Sequence, residues 1–179
     1  MRFQTFVFIV VLTLVAPFVA SAQESTTTGD HRIANILDRT GLKYSVDSDG
    51  NFSLKLFLDK DRSQVVFIMG SAEKIDKLEV IELWSSAGTF DSLPEEDVVR
   101  DLLADSGTKP IGFWSVEGAT DGGYTVYFSV RVPLYVKDSD LVSLLRYTAN
   151  IANQEEKELF YSDEHLPDAA LHENPTKGI

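Results

Sequence analysis

The sequence lacks cysteine altogether and contains only three histidines among its 179 residues. Without cysteine there is no disulfide, no thiol nucleophile and no acylated cysteine of the kind that anchors bacterial lipoproteins. The fold must therefore be held by an ordinary hydrophobic core. No His-Glu-x-x-His pair or other zinc spacing occurs. Because a metal site needs several fixed ligands, we predict no metal site and no cofactor.

Catalytic signatures are missing as well. The sequence contains no Gly-x-Ser-x-Gly elbow and none of the glycine-rich loops that hold phosphates or dinucleotides. We therefore predict no catalytic residues. The carboxylates of Glu95 and Glu96 can in principle do acid-base work, but at the start of a helix they more simply complement the helix dipole.

Positive charge is scarce. The chain has 16 lysines and arginines against 28 aspartates and glutamates, a net charge of −12. Arg2 is the only charged residue before Gln23, so the chain from Gln23 onward carries −13. Such a surface repels nucleic acids and anionic membranes. We expect no nucleic-acid binding. The acidity either attracts basic partners or only keeps the protein soluble.

The one long hydrophobic run lies at the beginning of the chain. Arg2 precedes an apolar stretch from Phe6 to Val19, and Ala20-Ser21-Ala22 supplies the small residues of a signal-peptidase site. Residues 1–22 are therefore predicted to be a signal peptide cleaved after Ala22. The mature protein is then periplasmic or extracellular, without stable membrane insertion. An uncleaved membrane anchor is the alternative, although the run is short for a membrane span.

A single domain is predicted at residues 30–160, between a flexible leader at 23–29 and a mobile acidic tail at 161–179. The leader is polar and shows no periodicity, and Pro167 and Pro175 interrupt the tail. The predicted domain has the usual size of one folded unit.

Helical periodicity occurs in three places. Asp30 is predicted to cap a first helix that ends at Gly41. Ser92 and Glu95 form a capping-box pattern ahead of a second helix. A third helix is predicted from Ser139 to Phe160. The buried stripe of the second helix is predicted to contain Val98, Val99, Leu102 and Leu103.

Strand patterns separated by turn residues lie between the helices. Asp49-Gly50 joins two alternating runs as a β-hairpin, and Val65–Met69 has apolar residues on both faces, which predicts a strand covered on both sides. Further strands are predicted at Leu78–Trp84, Ile111–Glu117 and Tyr124–Leu134. The order α-β-β-β-β-α-β-β-α predicts an α+β fold, an antiparallel sheet of about five to six strands with helices packed on it.

Several of these segments carry a resemblance. Ile111-Gly-Phe-Trp114, the strand Tyr124–Val130 and the helix from Asp140 resemble the YbjN-like proteins, whose fold is that of type III secretion chaperones. The helix ending at Gly41 and the hairpin Val46–Gly50 are similar too. The resemblance implies a regulatory or protein-binding role, with partners held on the sheet and helix surfaces and with frequent dimers. It supplies no catalytic residues.

The expected function is that of an exported, non-catalytic protein-binding or regulatory module of the YbjN-like type. Its partner is another protein or a second copy in a homodimer. The candidate binding residues are Trp84, Trp114 and Tyr127, strand aromatics that either form a binding platform or anchor the core. The alternative function is an exported enzyme that uses dispersed carboxylates and His31 in a cleft.

Two polar clusters have simpler explanations than a metal site. Asp47-Ser-Asp49-Gly50-Asn51 resembles a calcium loop, but that register puts Leu56 where a carboxylate is needed, so a hairpin turn is favoured. His165 and His172 lie among acidic residues of the predicted tail. The alternative to weak metal binding there is a solvated segment.

Overall fold

The computed structural model describes residues 29–59, 61–119 and 122–161, and only the backbone of Tyr161. The predicted signal peptide, nearly all of the predicted leader and the predicted tail from residue 162 onward lie outside the described residues. In the described part of the chain, no helix is both long enough and apolar enough to cross a membrane.

The described residues contain three helices and seven strands. In chain order they are α1 (His31–Thr40), β1 (Ser45–Val46), β2 (Phe52–Phe57), β3 (Ser63–Ile68), β4 (Glu73–Ile75), β5 (Leu78–Phe90), α2 (Glu96–Ser106), β6 (Phe113–Gly118), β7 (Tyr124–Pro133) and α3 (Asp138–Tyr161).

The strands form one antiparallel sheet. Its order is β1-β2-β3-β5-β7-β6, and β4 pairs with β5. The predicted α+β class is therefore confirmed, with a sheet of six strands along the path and β4 as a seventh. Strand β4 is not predicted from the sequence, because Glu73-Lys74-Ile75 is exposed and has one apolar residue. It pairs with β5 across a turn in which Asp76 has a φ of 55°.

The two predicted ends of α1 are confirmed. Oδ1 of Asp30 accepts a hydrogen bond of 2.9 Å from the Arg32 backbone N–H, which satisfies a donor that the first helical turn leaves free. Gly41 has a φ of 70°, the left-handed conformation that glycine adopts without steric cost. Ile33 and Leu37 face the core and are fully buried.

The predicted hairpin between β1 and β2 is also present. Oδ1 of Asp47 accepts hydrogen bonds from the backbone N–H groups of Asp49 and Asn51, at 2.9 and 2.8 Å. Oδ1 of Asn51 accepts one from the Gly70 N–H. These side chains are hydrogen-bonded within the turn and to the adjoining strand end, as the turn chemistry predicts.

The prediction of a capping box formed by Ser92 and Glu95 at the start of α2 is wrong. The helix begins at Glu96, and Glu95 is the N-cap residue without a side-chain capping bond. Pro94 explains the shift, because a residue before proline is held out of the helical conformation and Leu93 cannot begin a helix. The predicted stripe is wrong in part, since Leu102 is buried but Leu103 is 74% exposed.

The three helices cover one face of the sheet. Helix α3 contacts β3, β5 and β7, α2 contacts β6, and α1 contacts α3. The prediction that β3 is covered on both faces is therefore wrong: Val66 and Ile68 are fully buried, whereas Val65 is 41% exposed. The inward residues of the central strands include Leu54, Val66, Ile81, Leu83, Val126, Phe128 and Val130.

Strand β5 is longer than predicted and runs on to Phe90. The sequence Ser85-Ser86-Ala87-Gly88 hides this extension, because small and polar residues are weak strand formers. The register shifts between Ser86 and Gly88, as in a β-bulge. Gly88 lies against the ring of Phe160 in α3, so a Cβ atom at this position would require that ring to move.

The predicted third helix is confirmed as α3. Its inward stripe lies across the centre of the sheet, and the small side chains of Ala149 and Ala152 allow a close approach. Oγ1 of the buried Thr148 donates to the Leu144 carbonyl, which satisfies its hydroxyl. The helix thus supplies most of the cover for one face and leaves the other uncovered.

Candidate functional site

The uncovered side of the sheet, called here the open face, carries the alternate residues of the same strands. No helix in the described ranges packs on it. Because partners in register share a face, the strand pairings identify its members. They include Ser53, Lys55, Phe57, Val65, Phe67, Glu73, Val80, Glu82, Trp84, Ser86, Phe113, Ser115, Glu117, Thr125, Tyr127, Ser129 and Arg131.

One row of side chains crosses the open face through five strands. Ser53 pairs with Phe67, Phe67 with Trp84, Trp84 with Ser129 and Ser129 with Phe113. The rings of Phe67 and Trp84 are stacked, with centroids 5.4 Å apart and an interplanar angle of 17°. Ser129 lies between Trp84 and Phe113 and is only 3% exposed. The row therefore presents aromatic surface rather than its central hydroxyl.

A second row lies beside the first. Lys55 pairs with Val65, and Tyr127 pairs with Ser86 on one side and Ser115 on the other. These serines are short, so they do not screen the neighbouring rings as lysine or glutamate side chains do on most solvated sheets. The two rows together form a surface of aromatic, aliphatic and hydroxyl groups from which few long side chains project.

Four charges on the open face balance one another. Arg131 Nε donates to Oε2 of Glu82 at 2.7 Å, and this bond raises the pKa of the arginine. The Arg131 guanidinium also lies 5.2 Å from the ring centroid of Phe113. Lys55 Nζ lies 5.7 Å from the ring centroid of Phe57. With Glu73 as the second carboxylate, which pairs with Val80 on the same face and also raises the pKa of Arg131, these four charges sum to zero, although the chain carries −12.

The three candidate binding residues do not lie together. Trp84 and Tyr127 are on the open face, but Trp114 points to the helices. Trp114 is nearly buried, packs edge-on against Phe128 at 5.0 Å, and its Nε1–H donates to Asp105 at 2.8 Å. It is a core anchor, which is the other role that the sequence left open for it.

Sequence reasoning missed two aromatic residues of this surface, Phe67 and Phe113. Phe67 was assigned to a strand buried on both faces, so it was not expected at the surface. Phe113 is next to Trp114, and alternation along a strand places one of two neighbours outside. Because Trp114 packs in the core, this alternation is the sequence signal that places Phe113 on the open face.

A second feature is a small acidic cleft between α2 and α3. Its volume is about 160 Å³, and its charged lining residues are Asp101, Asp105, Lys109, Glu155 and Glu158. Burial, followed by repulsion from Glu158 and Asp105, raises the pKa of Glu155 to about 7. Burial tends to raise the pKa of Asp105, but hydrogen bonds from Lys109 and Trp114 outweigh it and lower that pKa.

This cleft is smaller than the roughly 300–1,000 Å³ of typical ligand pockets. Among the described residues, no group of three or more histidine and carboxylate side chains is arranged to hold a metal ion. His31, which the sequence offered for catalysis, is an exposed residue at the start of α1. It lines a shallow groove at that end, and it is not among the residues that line the acidic cleft.

The groove beside α1 is a structural junction. Nη2 of Arg32 binds Asp30 at 2.6 Å, and its Nη1 binds Glu79 of β5 at 2.7 Å. The hydrogen bond from Arg32 lowers the pKa of Asp30, despite an opposing effect of burial. The Arg32 guanidinium therefore links the start of α1 to β5 of the sheet.

Comparison with known proteins gives little beyond this geometry. No protein-family model matches the chain, and no curated protein matches it. One similar solved structure is the crystal structure of YbjN from E. coli, with 11% identity, a TM-score of 0.43, and coverage of 74% of this chain and 92% of that chain. The resemblance expected from sequence is thus met only by a coarse similarity, and the function argued below depends on this chain's own residues.

Proposed function

We propose that this chain is an exported, non-catalytic module that binds another protein through its open face. The observation that carries the proposal is the stacked pair of Phe67 and Trp84 in the middle of the open face, where Arg131 is paired with Glu82. The surrounding chain carries a net charge of −12. Export is part of the proposal and comes from residues 1–22 of the sequence.

The composition of the open face is that of an interface centre. Interface centres are enriched in tyrosine, tryptophan, phenylalanine and arginine and depleted in lysine and glutamate. Rigid aromatic side chains lose little conformational freedom when they are covered, and tryptophan and tyrosine dominate binding hot spots. The open face places Trp84, Tyr127 and Arg131 on neighbouring strands β5 and β7. Covering it with another protein would remove this apolar surface from water.

Site-specific photocrosslinking in cells that export the protein tests the proposal. A photoreactive phenylalanine analogue replaces Tyr127 on the open face. The matched control replaces Tyr135, an aromatic residue that is 77% exposed but lies beside α1. We expect a crosslink to one defined protein at position 127 and none at position 135, and its loss when Trp84→Ala is added.

The other outcomes count against the proposal. Equal crosslinking at both positions would show that the open face is not specific. A crosslink only to a second copy of the chain would assign the face to self-association. No crosslink at position 127 in a folded, exported protein would contradict binding through this face.

A further inference from the structure

One end of the open face is acidic. Asp59 and Asp61 lie in the turn after β2, Asp91 follows β5, and Glu117 is near the end of β6. The pairs Phe57–Ser63, Phe90–Tyr124 and Gly118–Tyr124 show that these strand ends lie at the same end of the sheet. This group of four carboxylates, Asp59, Asp61, Asp91 and Glu117, is called the acidic end.

Three of these carboxylates form no ion pair with a lysine or arginine of the described residues. Asp59 stabilises its own turn, because its Oδ1 accepts hydrogen bonds from the backbone N–H groups of Asp61 and Arg62. The Arg62 side chain points the other way and binds Asn153 and Glu156 of α3. Within the described ranges, no lysine or arginine forms an ion pair with Asp61, Asp91 or Glu117.

The cations of the open face are already occupied, in contrast. Arg131 is paired with Glu82, and Lys55 lies over the ring of Phe57. A partner therefore meets balanced charge in the middle of the face and unbalanced negative charge at one end. A second copy of this chain brings its own net charge of −12, which opposes self-association. A basic chain is attracted, and its lysines or arginines can pair with carboxylates that form no ion pair among the described residues.

We infer that the partner of the open face is a basic polypeptide segment. Its apolar or aromatic residues lie on Phe67 and Trp84, and its lysine or arginine residues lie at the acidic end. This inference rests on the proposed function, because it specifies the partner of the same face. It goes beyond that function by naming the partner's chemistry, the sign of its charge and the end of the face where that charge binds.

Selection from a random peptide library displayed on phage tests the inference. Residues 23–179 are the target, and parallel selections use Trp84→Ala and Tyr127→Ser, with circular dichroism to check that each variant is folded. Only peptides that bind the unchanged protein and not the variants are analysed. We expect these peptides to combine an aromatic residue with a net positive charge.

Charge variants then locate the attraction. Neutralising the acidic end with Asp61→Asn, Asp91→Asn and Glu117→Gln should weaken the selected peptides by about fivefold or more at low salt and by less at high salt. The matched control makes the same change in net charge away from the open face, with Asp49→Asn, Glu96→Gln and Asp140→Asn. We expect the control to bind nearly as well as the unchanged protein.

The outcomes separate this inference from the proposed function. Peptides that depend on Trp84 but are neutral or acidic would overturn the basic partner and leave binding through the open face standing. Equal weakening by the two sets of charge variants would also overturn it, because the attraction would then come from the whole chain. If no selected peptide depends on Trp84 or Tyr127, the proposed function fails as well.

Discussion

The two faces of the sheet are built from adjacent residues yet have opposite characters. On β7, Phe128 is fully buried and contacts Trp114 and Tyr147, whereas its neighbour Tyr127 points to the open face. On β5, Leu83 is buried and Trp84 is not. Both faces carry aromatic residues, so the presence of aromatic side chains does not by itself distinguish them.

The distinction is whether helices of the described residues cover the aromatic side chains. On the covered face, three helices remove the side chains from water, and the burial stabilises the fold. On the open face, the same kinds of side chain remain partly solvated, and their apolar surface is available to another molecule. The comparison predicts that substitutions on one face change stability and those on the other change binding.

The largest effect is expected from a pair of substitutions on β7. Phe128→Ala should lower the free energy of unfolding by about 3–5 kcal/mol, because it leaves a cavity among packed rings. Tyr127→Ala, one residue away, should lower it by about 1 kcal/mol or less. Urea unfolding of both variants measures the difference. Similar losses would show that the open face also holds the fold together.

The next effect concerns binding. Trp84→Ala should weaken a partner of the open face by about 2 kcal/mol, roughly thirtyfold, as for an interface hot spot. Leu103→Ala is the control, since this leucine is apolar and more exposed than Trp84 but lies on α2. Calorimetric titration with a selected peptide measures both. An equal loss from the two variants would contradict a binding site centred on the open face.

The fold could be predicted further than the site. The periodicity of α3 and the Asp30 and Gly41 ends of α1 depend on local chemistry, and these features appear as the sequence indicates. Whether β3 is covered on both faces depends on where distant helices pack, and apolar alternation in five residues cannot report that. The stacking of Phe67 on Trp84 joins residues of two strands through their register, which the sequence does not state.

The acidic cleft offers a pH-dependent test of the covered side. Because the pKa of Glu155 is raised from its ordinary 4.5 to about 7 in the folded state, the folded protein holds this proton more tightly than the unfolded chain. The resulting stability is fully present below pH 4.5 and is lost as the pH rises to about 7. The pKa values of Asp30 and Asp138 are lowered instead, so their contributions are lost only in acid.

Glu155→Gln should therefore flatten the decline in stability between about pH 5 and pH 8. Near pH 8 the free energy of unfolding of the variant should be about 1 kcal/mol higher than that of the unchanged protein. This value is reduced because solvent reaches the cleft. Glu96→Gln, at the exposed start of α2, is the control and should leave the slope unchanged. Thermal unfolding across this range measures the slopes. A parallel decline in Glu155→Gln would show that another group is responsible.

The smallest effect separates polar contacts on the open face from packing on the covered one. Arg131 and Glu82 form a direct bond of 2.7 Å, but the arginine side chain is largely exposed, so water and salt weaken their attraction. Arg131→Gln should lower the free energy of unfolding by less than about 1 kcal/mol, and the loss should shrink in high salt. A loss as large as that of Phe128→Ala would mean that the pair holds β5 to β7. The open face would then be part of the scaffold, and the contrast between the two faces would fail at its centre.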